Sequence, residues 1–163
     1  MINVLLGLDR LVGRIIAVTK WLALPLIVLL FLQWPLRDVV RMFSREANDL
    51  AQVVFAFFVA ASVTAATRAK AHLAADFIAR HYSASTRWRL HQFGSALGLL
   101  PWAVFVLIAG KSTILSSLHD LESFQDSGNP GYFLVKLALW GMALLILAQS
   151  LIDIFRLPSV DDM

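Results

Sequence analysis

Four stretches of this chain, residues 21–36, 50–67, 92–110 and 137–152, contain no Asp, Glu, Lys or Arg. An α-helix rises ~1.5 Å per residue, so about 18–20 apolar residues cross ~30 Å of hydrocarbon. Stretches of this length, extended at their ends by long side chains that reach the headgroups, meet that requirement. A soluble fold of 163 residues has no interior able to hide four such helices. With 59% hydrophobic and 15% charged residues, the chain reads as one all-α membrane domain, 1–163, whose solvent is the bilayer. It contains no cysteine, which excludes disulfides, iron–sulfur clusters and thiol chemistry.

The cations set the expected orientation. With the N-terminus in the cytoplasm, nine fall inside: Arg10, Arg14, Lys20, Arg68, Lys70, Arg80, Arg87, Arg89 and Arg156. Five fall outside: Arg37, Arg41, Arg45, Lys111 and Lys136. The inside excess predicts that both termini are cytoplasmic. Because these cations flank the spans and form no continuous basic face, they read as topology determinants rather than as a nucleic-acid surface. The first apolar segment runs on to Trp34-Pro35-Leu36 with no small-residue cleavage site, so it is expected to be a retained helix rather than a leader.

The spans are expected at about 15–36, 48–67, 92–116 and 132–155. Residues 1–14 have helical apolar periodicity and form a lead-in expected at the membrane surface. Pro25 is expected to bend span one. Span two places Ala56, Ala60 and Thr64 on one face, and span three opens with Gly94 and Gly98; with Gly141 in span four, these small residues are candidate helix-packing positions. The polar connection 68–91 places His72, Asp76 and Arg80 at i, i+4 and i+8, opposite Leu73, Phe77 and Ile78, which predicts an amphipathic surface helix. Ser83–Thr86 breaks that helix and can cap the next one. On the other side, Ser127-Gly-Asn-Pro-Gly131 is a turn signal.

Reactive groups are sparse. Haem held in a four-helix membrane protein takes histidines inside the spans on different helices, whereas His72, His81 and His91 share one connection and His119 lies opposite. The first three are nine and ten residues apart without a cysteine, a poor match to zinc. No glycine-rich phosphate loop and no Ser/His/Asp pattern is present. Lys20, Lys111 and Lys136 sit near span ends, where snorkelling explains them; a sharper expectation pairs Lys111 or Lys136 with Asp120 or Glu122. No inverted repeat, broken-helix pair or mid-membrane charge marks a solute path. The chain is therefore expected to have no catalytic site, cofactor or metal, and to support a companion that acts.

The order of features resembles the small, DctQ-like membrane subunit of tripartite ATP-independent periplasmic (TRAP) transporters. The inner motif of that family matches Arg68-Ala-Lys-Ala-His72-Leu-Ala-Ala-Asp76. Its outer pattern matches Glu122-Ser123, Pro130, Lys136, Gly141 and the Leu-rich run ending at Gln149. The resemblance covers nearly the whole chain, although Phe55 and Phe57 in span two and Trp140 before Gly141 depart from the family pattern. It implies four spans in a bacterial inner membrane. It also implies two partners, a large sodium-coupled membrane subunit and a periplasmic substrate-binding protein, together taking up an organic anion. In that setting Arg68, His72 and Asp76 would form a structural motif at the inner surface. Arg37, Arg41, Arg45, Asp120, Glu122 and Lys136 would be outer docking or partner contacts. The alternative from another class is the membrane anchor of a respiratory or quinone-linked enzyme, which haem absorbance would distinguish. A self-sufficient channel would instead carry ions when reconstituted alone.

Overall fold

The computed structural model describes residues 2–39, 44–69 and 82–155. Six α-helices run through them: α1 (Ile2–Thr19), α2 (Ala23–Asp38), α3 (Arg45–Arg68), α4 (Ala84–Gly94), α5 (Leu100–His119) and α6 (Tyr132–Phe155). The helices α1 and α2 join through a 3-10 turn, Lys20–Leu22, and α4 and α5 through a π-helical turn, Ser95–Leu99. Four continuous helical segments result, Asn3–Pro35, Arg45–Arg68, Ser85–His119 and Tyr132–Phe155, each long and apolar enough to cross a membrane.

Both junctions follow from proline. Pro25 has no N–H and its ring crowds the carbonyl of Trp21, so the helix tightens just before it. Pro101 crowds the carbonyl of Leu97 in the same way. Here the helix widens by one residue, and the Leu100 N–H reaches back to the Ser95 carbonyl. The expected bend at Pro25 thus takes the form of a change of helix type. The lead-in is also not a separate element, because α1 runs on into α2. A helical rod of 33 residues is ~50 Å long, well beyond a ~30 Å hydrocarbon layer. Its charged residues, Asp9, Arg10, Arg14 and Lys20, all precede the apolar stretch 21–36.

Caps decide where other helices begin. Ser44 Oγ accepts from the Ala47 N–H at 3.1 Å, starting α3 three residues before the expected span. Ser83 Oγ accepts from the Thr86 N–H at 3.3 Å, as the break at 83–86 implied. Residues 84–91 consequently lead into span three as part of one continuous helical segment. The proposed surface ladder of His72, Asp76 and Arg80 lies outside the described residues.

The helix α5 ends in a Schellman motif. Leu121 takes the left-handed conformation (φ 45°), its N–H bonds the Leu118 carbonyl at 3.4 Å, and the Glu122 N–H bonds the Ser117 carbonyl at 3.1 Å. Gly128 (φ 72°) and Gly131 (φ 138°) then turn the chain into α6.

Among the described residues, the spans form an open row rather than a closed bundle. In order the row is α2, α3, α6, α5: α3 packs on α2 and α6, α6 packs on α3 and α5, and α2 and α5 occupy the two edges. The helix α1 packs on α3 and α6, burying Val12. Small residues are buried on both helices of the central contact, including Ala51, Ala60, Ala61 and Thr64 on α3 and Ala138 and Ala143 on α6. Lipid tails are as apolar as leucine, so close backbone approach supplies the cohesion. Burial follows position in the row: 39% of the most apolar stretch of α6 is buried, against 6% for the α1–α2 rod.

Candidate functional site

Two polar clusters lie at opposite ends of the row. Around the connection between α5 and α6 (the loop end), Glu122 is the hub. Its Oε2 receives Lys136 Nζ at 2.5 Å and also the Ser117 hydroxyl, and its carbonyl accepts from the N–H groups of Gly131 (3.2 Å) and Phe133 (3.4 Å). The Lys136 ammonium and the Ser117 hydroxyl together hold the Glu122 carboxyl below the usual glutamate range. Lys136 Nζ also sits 5.5 Å from the centre of the Tyr132 ring, which meets buried Phe124 edge-on at 5.5 Å.

The same connection is fastened to the start of α3. Asp49 is buried, and its Oδ2 accepts from the Ser127 hydroxyl at 2.5 Å and from the Asn129 side-chain amide at 3.0 Å. Arg45 Nη1 donates to the Asp126 carbonyl at 3.2 Å. Of the residues expected to dock a partner, Arg45, Glu122 and Lys136 therefore bond within the chain. Asp120 remains mostly exposed beside His119, 3.0 Å away. Arg37 falls in the last turn of α2, and Arg41 lies outside the described residues. Lys136 thus takes the Glu122 option of the expected pairing, while Lys111 stands exposed.

At the other end (the terminal end), Asp153 on α6 is 8% exposed. Its Oδ1 accepts from Gln149 Nε2 at 2.9 Å, its Oδ2 from Ser95 Oγ at 3.4 Å, and His91 Nε2 stands 4.0 Å from Oδ2. Gln92 Nε2 donates to the Ile154 carbonyl at 3.0 Å. Nearby, Arg68 Nη2 lies 2.7 Å from Asp9 Oδ1 while Nη1 donates to the Asp9 carbonyl at 3.3 Å, tying the end of α3 to α1. This gives Arg68 a fastening contact; His72 and Asp76, its companions in the expected inner motif, lie outside the described residues.

The packing positions divide. Ala60 is buried and Ala56 half-buried in the α3 contacts. Gly94 and Gly98 are exposed, and a Cβ at either, or at Gly141, would meet nothing within 4 Å. Among the described residues, these glycines do not mediate helix contacts. His91 and His119 sit near opposite ends of the α4–α5 rod, separated by ~42 Å of helical rise.

Asp49 and Asp153 escaped the sequence reading. Asp49 lies at the start of a span with no polar pattern around it that singles it out. Asp153 had a legible signal: Gln149, Ser150 and Asp153 at i, i+1 and i+4 make a polar face in an apolar helix, matched by His91, Gln92 and Ser95 at the same spacing.

Chemically, the two clusters fasten helix ends to each other, and the stretches between them are apolar. These features define a helical, multi-pass class of membrane protein. No protein-family model, curated protein or solved structure matches this chain.

Proposed function

We propose that this chain is the small membrane subunit of a TRAP-type secondary transporter. In this reading it braces a large sodium-coupled subunit and helps a periplasmic binding protein to dock during uptake of an organic anion. The observation that carries the proposal is the open row. Four spans side by side leave both edges and broad apolar faces uncovered, with Leu24, Ile27 and Phe31 exposed on α2 and Phe105 and Ile108 exposed on α5. A large membrane partner packed along such a row gains a wide, stiff flank. Further support comes from the residues that carry the family resemblance. Glu122 and Lys136 form one ion pair, and Ser123 and Pro130 pair across one turn.

In this reading the loop end faces outward and both termini face the cytoplasm of a bacterial inner membrane. The exposed Asp120 and the tied-down loop present a fixed surface to the binding protein. The chain itself performs no catalysis and carries no cofactor; substrate and sodium sites belong to its companion. Tagged full-length chain, extracted in mild detergent and purified from its own cells, should bring down one large multi-span protein. Recovery with haem- or quinone-containing subunits instead would replace this reading with the anchor reading. Sodium-driven uptake by liposomes holding only this chain would overturn it.

A further inference from the structure

The helix α1 has two unlike faces. On one, Val12 is buried against α3 and α6, with Leu8 and Ile15 half-buried beside it. On the other, Arg10 and Arg14 stand exposed one helical turn apart, flanked by exposed Val4, Leu11 and Val18 at seven-residue spacing. The one acid of α1, Asp9, is held by Arg68 at 2.7 Å, so the free face carries positive charge alone. The helix α4 repeats the arrangement, with Arg87 and Arg89 exposed and Leu90 and Phe93 exposed within the next turn. Both helices pack on α6 at the terminal end of the row.

These cations stand at a common depth, just ahead of the uncharged stretches. Arg89 and Arg87 precede Gln92 by ~4.5 and ~7.5 Å of helical rise, and Arg14 precedes Trp21 by ~10.5 Å. Lys20 adjoins Trp21, its Nζ 5.7 Å from the ring centre. The headgroup layer adds ~5–8 Å to each side of the hydrocarbon, so arginine side chains starting here reach lipid phosphates.

The loop end is different. There Arg45 and Lys136 are bound within the chain, and exposed Glu46, Asp120 and Asp126 accompany exposed Lys111. Among the described residues, the terminal end exposes Arg10, Arg14, Lys20, Arg87 and Arg89, while its two acids are Asp9, paired with Arg68, and buried Asp153. Unpaired arginines beside exposed apolar side chains suit a surface that is anionic at phosphate depth and apolar just beneath. An acidic protein groove would match the arginines but not their apolar neighbours.

We infer that the exposed faces of α1 and α4 bind anionic phospholipid, the arginines taking headgroup phosphates while Leu11, Val18, Leu90 and Phe93 enter the acyl boundary. The inference stands whichever companion the chain serves.

The test reconstitutes the full chain in phosphatidylcholine vesicles at low salt, with a trace of nitroxide-labelled phosphatidylglycerol or nitroxide-labelled phosphatidylcholine. Electron spin resonance reads the fraction of each labelled lipid immobilised at the protein surface. The immobilised fraction should be about twofold larger for phosphatidylglycerol. The excess should vanish in about 1 M salt, where the screening length is ~3 Å. Replacing the four arginines together (Arg10→Gln, Arg14→Gln, Arg87→Gln, Arg89→Gln) should remove most of it, and lysine at the same four positions should keep it. Lys111→Gln, at the opposite end, should leave it unchanged. Equal fractions for the two lipids in the native chain overturn the inference. So does an excess that survives in high salt or in the fourfold glutamine variant. Equal fractions combined with loss of a companion protein from the glutamine variant would assign the face to an acidic protein surface and overturn it equally.

Discussion

Lys136 Nζ lies 2.5 Å from Glu122 Oε2, joining the first turns of α6 to the residue that follows the left-handed cap of α5. The two are 14 residues apart, and the chain between them folds back on the pair. Both side chains are about a third exposed, so the contact acts by fixing geometry more than by Coulomb energy.

Reversal of the charges tests this relationship. Lys136→Glu and Glu122→Lys should each lower the thermal midpoint of the detergent-solubilised chain, because each sets like charges together. The double reversal should recover a large part of the loss. A double variant no better than the worse single one would show that Lys136 answers to another partner.

Acid should loosen the same connection. The Glu122 carboxyl is held below its ordinary value of 4.5 by Lys136 and Ser117. A carboxyl whose folded value is depressed contributes stability above the unfolded value and loses it as pH falls through the folded one. Proteolytic nicking of residues 120–131 should therefore stay slow at neutral pH and rise below about pH 4.5. In Lys136→Met nicking should already be faster at neutral pH and its rise in acid smaller, because less of the depression remains to be lost. Identical profiles for the two chains would contradict the assignment.

Asp49 makes a separate prediction. Its removal leaves the Ser127 hydroxyl and the Asn129 amide without their acceptor in a partly buried setting. Asp49→Ala should cost about 1–3 kcal/mol, read by denaturant titration in mixed micelles. Asp49→Asn should cost less, since its carbonyl oxygen still accepts. Equal losses for the two would mean that the carboxylate charge matters and the hydrogen bonds do not.

Leu121 occupies the position after a helix end where glycine is usual. A left-handed leucine costs about 1–2 kcal/mol, partly offset in any glycine replacement by the freer unfolded chain. Leu121→Gly should therefore stabilise the fold by about 0.5–1 kcal/mol. A destabilised variant would show that the half-exposed leucine side chain holds a contact worth more than the strain.

Much of the local structure was legible because its causes are local. Ser83 was readable as a cap, and residues 127–131 as a turn. Pro25 marked where the first long helix changes type, although that the helix tightens before Pro25 and widens before Pro101 was not written in the residue itself. The pairing of Lys136 with an acidic residue was anticipated from their common end of the chain. Asp49 was not, because its partners lie 78 and 80 residues away and no periodicity connects them.

Span lengths, helix starts and the membrane as solvent rest on hydropathy and on hydrogen bonds made within a few residues, so the linear order of amino acids carries them. The side-by-side arrangement of the spans, the buried carboxylates at either end and the solitude of Gly94 and Gly98 came only from the folded chain. In lipid there is no hydrophobic pull that favours one helix neighbour over another. The order of the row is settled by which small-residue faces meet and which distant polar groups find each other, such as Ser95 with Asp153 across 58 residues.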